Sequence, residues 1–137
     1  MEEIKEELEK IQKLLIEKFQ PLAIILFGSF VRGTQNAESD IDIAIVAQNN
    51  DKKDMFLTKQ KLEELTSKDI DLVNLTDLNM SEGFKYEILM NGKVLYCKDE
   101  YRFDMYKIDT CREYLDFNES RQEIIDRIKN GGTIYGK

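Results

Sequence analysis

The sequence predicts an α+β domain, α/β-like in its alternation: a small β-sheet flanked by helices, with a helical C-terminal segment. Two patterns lead there. Stretches with apolar residues every third or fourth position alternate with short, nearly continuous apolar runs, the two signatures that separate amphipathic helix from buried strand. The length of 137 residues suits one domain around one core, with a central portion at about 20–98 and the helical segment at about 101–130. With 42% hydrophobic and 34% charged residues and a single Pro, the composition is that of a chain that folds.

Residues 2–19 place Ile4, Leu8, Ile11, Leu15 and Phe19 three or four apart among Glu and Lys, an amphipathic helix that Gln20 and Pro21 close. Leu22–Phe27 is an apolar run ending at Gly28, a strand buried on both faces. GSFVRGTQNAESD then reads as a loop with room for one helical turn, and Ile41–Ala47 as a second strand. Residues 52–67 carry Met55, Phe56, Leu62 and Leu65 in a helical pattern, and Ile70–Leu75 (IDLVNL) is a third strand. Ser81–Met90 is a short helix that Asn91-Gly92 stops, and Lys93–Cys97 is a fourth strand. From Tyr101 onward the chain is helical, with Phe103, Tyr106, Tyr114, Phe117, Ile124 and Ile128 on one face. Ser120 to Glu123 forms a capping-box pattern that can restart that helix, and Gly131-Gly132 end it. The aromatic stripe is core packed over the sheet, or in part an exposed partner surface. Strand order is not readable from these patterns.

Composition also excludes chemistry. There is no His, which removes Ser-His-Asp and Cys-His catalysis and leaves carboxylates, Lys and Tyr for acid–base work. Cys97 and Cys111 stand fourteen positions apart without a C-x-x-C pairing, so a disulfide framework and a zinc site lack their parts, and both read as small core residues. A net charge of −7 makes nucleic acid a poor partner. The longest uninterrupted apolar run has six residues, against the roughly 20 that cross a bilayer. MEEIKEELEK is charged rather than signal-like, so no membrane association and a cytoplasmic location are expected.

The chemistry-bearing stretch is Gly28-Ser29, ten residues, then Asp40-Ile41-Asp42. Strand alternation points Asp40 and Asp42 to one face and Ile41, Ile43 and Ile45 to the other. Two carboxylates that close repel unless they share a cation, and an oxygen-only site suits a hard ion such as Mg²⁺. Gly28 lets the backbone turn sharply and approach a ligand, and Ser29 adds a hydroxyl beside exposed N–H groups, an arrangement for phosphate oxygens. Arg32 in the same loop either neutralises phosphate charge or makes an ordinary surface ion pair, and Ser39 is a ligand or a loop cap. Asp71, one residue inside IDLVNL, is the candidate third carboxylate of a two-metal arrangement, preferred over Asp69 because the latter sits at the helix-to-strand junction.

The block GSFVRGTQNAESDIDIAIV, with the later Asp-bearing strand and NGKVLY before a helical tail, resembles the minimal nucleotidyltransferases of the DNA polymerase β-like superfamily. The resemblance spans most of the chain, with its specific part at residues 28–46. It implies a nucleotidyltransferase fold on a small mixed sheet. It further resembles the antitoxin of HEPN–MNT toxin–antitoxin pairs, which implies AMP transfer from ATP to a tyrosine of a HEPN toxin and so its neutralisation. By the same resemblance Asp40 and Asp42 are metal ligands, Asp71 the third carboxylate, Gly28 and Ser29 the triphosphate contacts, and Mg²⁺, as two ions, the cofactor. Two other functions compete: a binding-only antitoxin that acts by complex formation, and an aminoglycoside-type nucleotidyltransferase with a small-molecule acceptor.

Overall fold

Hydrophobic periodicity sets the first helix. In α1 (Glu2–Phe19) the side chains of Leu8, Ile11, Leu15 and Phe19 are buried along one stripe. The helix stops where Gln20 adopts a left-handed conformation (φ 49°) and Pro21 has no N–H to continue it. The computed structural model describes residues 2–28 and 40–115. Ile4's side chain, the turn expected in the 29–39 loop, and Phe117, Ser120, Glu123, Ile124, Ile128 and Gly131-Gly132 lie outside the described residues.

After α1 come β1 (Ala23–Phe27), β2 (Ile41–Val46), α2 (Lys52–Thr66), β3 (Ile70–Asn74), α3 (Glu82–Asn91), β4 (Lys93–Cys97) and α4 (Glu100–Leu115). Every expected element among the described residues is present, with ends displaced by a single residue where a cap or turn terminates it. Asp51 caps α2 by accepting from the Asp54 N–H, and Ser67 closes it with φ 57°. Ser81, expected inside the next helix, is its N-cap and accepts from the Phe84 N–H at 3.2 Å.

The strands form one mixed sheet in the order β3-β2-β1-β4. β1 is antiparallel to β2 and β4, and β2 is parallel to β3. Period-two alternation divides the sheet into two faces. Ile24, Leu26, Ile41, Ile43, Ile45 and Ile70 form one face and pack with Leu8, Ile11 and Leu15 of α1 and Leu62 of α2. Ala23, Ile25, Ala44 and Val46 form the other, against Ile88 and Leu89 of α3 and Phe103 of α4. Asp42 shares the parity of Ala44 and Val46, so it belongs to the α3–α4 face at the end where β2 begins.

Of the aromatic stripe on α4, Phe103 is buried and Tyr106 donates its hydroxyl to the Leu75 carbonyl at 3.2 Å, whereas Tyr114 is half exposed and lies against Tyr86. Both cysteines are free. Cys111 is buried beside the Met90 sulfur, 3.7 Å away, and burial pushes its thiol up to about 11, which is the character of a core residue.

The parallel pair β2–β3 is held at its far end by Asn74, which is 2% exposed. Its side chain makes five hydrogen bonds: Oδ1 accepts from the N–H groups of Ala47 and Thr76 and the Thr76 hydroxyl, and Nδ2 donates to the carbonyls of Ala47 and Asn49. Replacing it leaves buried backbone groups without partners. Asn74→Ala is therefore expected to lose about 2 to 4 kcal/mol of stability, read as a lower urea midpoint with an unchanged slope. A loss under about 1 kcal/mol would mean that the strand pairing alone holds this end.

Candidate active site

Asp42 and Asp71 occupy partnered positions of β2 and β3, on neighbouring strands about 4.8 Å apart. Both line a cavity of about 270 Å³ at the sheet end where β1 finishes and β2 and β3 start. Like side chains on one face of paired strands face the same solvent, so two carboxylates stand together there.

Gly28 explains why Asp42 has its place. It follows β1 with φ 81°, and a Cβ on it would run into the Asp42 carboxylate. Only glycine supplies both the left-handed turn and the space. Gly92 serves the opposite wall: a Cβ there would meet the Ile25 side chain at 2.5 Å and the Ile88 carbonyl at 2.6 Å, so its lack of a side chain keeps the α3–β4 turn tight against β1.

Asp71 is positioned from α2. Glu63 Oε2 accepts from the Ile70 N–H at 3.0 Å and from Lys59 Nζ at 2.8 Å, which braces the first residue of β3. Those two hydrogen bonds, Lys59's first, hold the Glu63 carboxyl below the usual carboxylate range. The Glu63 contact raises the Lys59 ammonium, and the charges of Asp69 and Asp71 add to it. Asp69 itself works through its backbone, its carbonyl accepting from the Ile41 N–H at 3.0 Å. This is the junction role that made Asp71 the preferred carboxylate.

Asp40 is exposed, one residue ahead of β2, and the cavity is lined by Asp42 and Asp71 without it. Ser29, Arg32 and Ser39 lie outside the described residues. Pattern reading missed the third side of the cavity, formed by Phe27 and by Phe84, Glu87, Ile88 and Asn91 on one face of α3. Their i, i+3, i+4, i+7 spacing is visible in the chain, and its position directly after the Asp71 strand was the available signal.

Electrostatically the cavity is unbalanced. It carries Asp42, Asp71 and Glu87 and no Lys or Arg among its described lining residues. Among the described residues no three His, Cys, Asp or Glu side chains stand close enough to hold a metal ion together. Within the cavity Asp42 and Asp71 form a carboxylate pair. That fits Mg²⁺, which takes one or two carboxylates and fills its remaining positions with water and substrate phosphates.

A glycine turn thus stands beside paired acidic strands, on a mixed sheet with helices on both faces. A family model described as polymerase beta, nucleotidyltransferase, matches residues 9–101, and the chain belongs to that family of nucleotidyltransferases. It is 34% identical over 121 residues to the protein adenylyltransferase MntA of Shewanella oneidensis, covering 87% of this chain and 85% of that one. Among solved structures it is similar to a chain of a toxin–antitoxin crystal structure with AMP-PNP, with a TM-score of 0.72 and 32% identity over 88% of this chain and 97% of that one. It is likewise similar to a chain from the complex of a tri-AMPylated Shewanella oneidensis HEPN toxin with MNT antitoxin, with a TM-score of 0.69, 28% identity, and 91% and 98% coverage. The family reading of GSFVRGTQNAESDIDIAIV and the mixed-sheet fold are both borne out. No helix among the described residues is long and apolar enough to cross a membrane.

Two outcomes follow. Gly28→Ala is expected to cost about 1 to 3 kcal/mol from its left-handed backbone and the collision with Asp42. Adding Asp42→Ala should recover part of that loss, and additive costs in urea unfolding would remove the proposed contact. Because the folded Glu63 carboxyl titrates below its ordinary value of 4.5, its stabilising contribution is complete above that value and lost as pH falls through the folded pKa. The stability gap between wild type and Glu63→Gln should therefore close on acidification from about pH 7 to about pH 3. A gap that stays constant would show that Glu63 acts without its charge.

Proposed function

We propose that this chain is a Mg²⁺-dependent protein adenylyltransferase that moves AMP from ATP to a tyrosine hydroxyl of a HEPN-type toxin and so neutralises it as the antitoxin. The observation that carries the proposal is the Asp42–Asp71 pair, in register on parallel strands and opening onto the cavity beside Gly28. The likeness to MntA over most of both chains supports the reaction, and the likeness to an MNT antitoxin chain from a complex with its AMPylated toxin supports the partner. The chain acts as one nucleotidyltransferase domain, in the cytoplasm, without direct nucleic-acid or membrane contact.

In this reading Gly28 and Ser29 present backbone N–H groups to the triphosphate, and Arg32 and Ser39 add contacts from the same loop. Asp40, Asp42 and Asp71 would hold two Mg²⁺ ions. Bound there, Mg²⁺ supplies positive charge for phosphates that the acidic lining would otherwise repel. Asp71 accepts the proton of the acceptor hydroxyl as its oxygen attacks the α-phosphorus in line. The new oxygen–phosphorus bond forms while the bond to the β-phosphate breaks, and pyrophosphate leaves. Positioning by Gly28, Asp42 and Asp71 provides most of the acceleration.

Intact mass of a HEPN-type partner, after incubation with this chain, Mg²⁺ and ATP, tests the proposal. Mass gain in AMP-sized steps is expected. It should be abolished in the Asp40→Asn/Asp42→Asn double variant and slowed by about 10²- to 10⁴-fold in Asp71→Asn. A stable complex without any mass gain would replace catalysis with inhibition by binding. Modification of an aminoglycoside instead would make the acceptor a small molecule.

A further inference from the structure

Four residues on one face of α3, namely Phe84, Glu87, Ile88 and Asn91, line the active-site cavity, and the transfer chemistry uses none of them. Their placement relative to the carboxylates is informative. Asp71 stands on β3 at one edge of the sheet, whereas α3 packs against β1 on the far side of β2. With the acceptor hydroxyl served by Asp71 and the triphosphate at Gly28, the part of the nucleotide left for the α3 side is the nucleoside.

Resting on the function proposed above, we infer that this face of α3 is the nucleoside-binding wall, Glu87 and Asn91 accepting hydrogen bonds from the nucleoside and Phe84 packing against its base. Asn91 Nδ2 donates to Glu87 Oε2 at 2.7 Å. One amide hydrogen is thereby committed to Glu87, which leaves the pair one amide hydrogen against the lone pairs of the carboxylate and of the amide oxygen, a surface richer in acceptors than in donors. Such a surface selects ligands with hydrogens to donate, which in a nucleoside are the ribose hydroxyls and the exocyclic amino group. Phe84 is 41% exposed although it lines the cavity. The Ser81 cap fixes its backbone and a near-perpendicular contact with Phe27 (5.8 Å, 81°) fixes its ring. An aromatic surface held in this way carries a base at little cost in side-chain entropy. The Glu87 charge disfavours phosphate at this wall, which orients the nucleotide with its phosphates toward Gly28.

The sign of one substitution decides the matter. If Glu87 only repelled the triphosphate, Glu87→Ala would tighten nucleotide binding; if it holds the nucleoside, the same change weakens it. Calorimetric titration of the full chain with α,β-methylene-ATP in Mg²⁺ should give roughly tenfold weaker binding for Glu87→Ala. Phe84→Leu, which keeps apolar bulk, and Phe84→Ala should weaken it by roughly fivefold or more. Inorganic tripolyphosphate, which has no nucleoside, should bind both positions' variants no more weakly than wild type. The 2′-deoxy analogue and the purine riboside analogue lacking the 6-amino group identify the donor: the one wild type rejects should lose its disadvantage in Glu87→Ala. Unchanged or tighter nucleotide binding in Glu87→Ala, with tripolyphosphate binding still dependent on Asp42, would overturn this inference alone. Wild-type binding that is indifferent to Asp42→Asn would overturn the function it rests on.

Discussion

The site depends on one constraint, the parallel register of β2 against β3. Asp42 and Asp71 are twenty-nine positions apart in the chain, yet become neighbours because Ile41 pairs with Ile70 and every later pair follows. A slip by one residue would turn Asp71 to the opposite face and bury it among isoleucines. Both ends of the pair are therefore fastened by groups outside the ladder. Asn74 joins the far end to the backbone of Ala47 and Asn49. At the near end, Glu63 takes the Ile70 N–H and the Asp69 carbonyl takes the Ile41 N–H. A parallel pair has no hairpin turn to set its register, so these fastenings do what a turn does elsewhere in a sheet.

The two faces of the sheet divide the remaining work. The face packed with α1 and α2 is apolar from Ile41 through Ile45 on β2, so burial of those isoleucines drives the strand into one orientation. Their alternation leaves the other face of β2 reading Asp42, Ala44, Val46. Small Ala44 admits the α3–α4 layer, and Asp42 is left at the open end. Hydrophobic burial on one side thus sets the aim of the Asp42 carboxylate on the other.

Much of this was legible in the chain. Apolar periodicity located the described elements to within a residue, and strand alternation assigned Asp42 to the face opposite Ile41 and Ile43. The motif around Gly28 identified the family. What was not legible depends on contacts between elements distant in sequence. Asn74 reads as a polar interruption of IDLVNL until Ala47 is beside it. Glu63 reads as one of many surface acids until β3 returns past α2. Phe84, Glu87 and Asn91 read as an ordinary helix face, because only the packing of α3 on β1 turns that face toward the carboxylates.

The glycine beside Asp42 connects backbone geometry to charge. A carboxylate in a cavity that already holds two others is electrostatically unfavourable, and such a group moves outward to water unless it is confined or neutralised. Gly28 provides the recess in which the Asp42 carboxylate stands, since any Cβ would expel it. One residue therefore seats a carboxylate beside its register partner Asp71. The acidic lining and the glycine turn are therefore one arrangement, in which the turn makes the room for a carboxylate to stand beside Asp71 at the open end of the sheet.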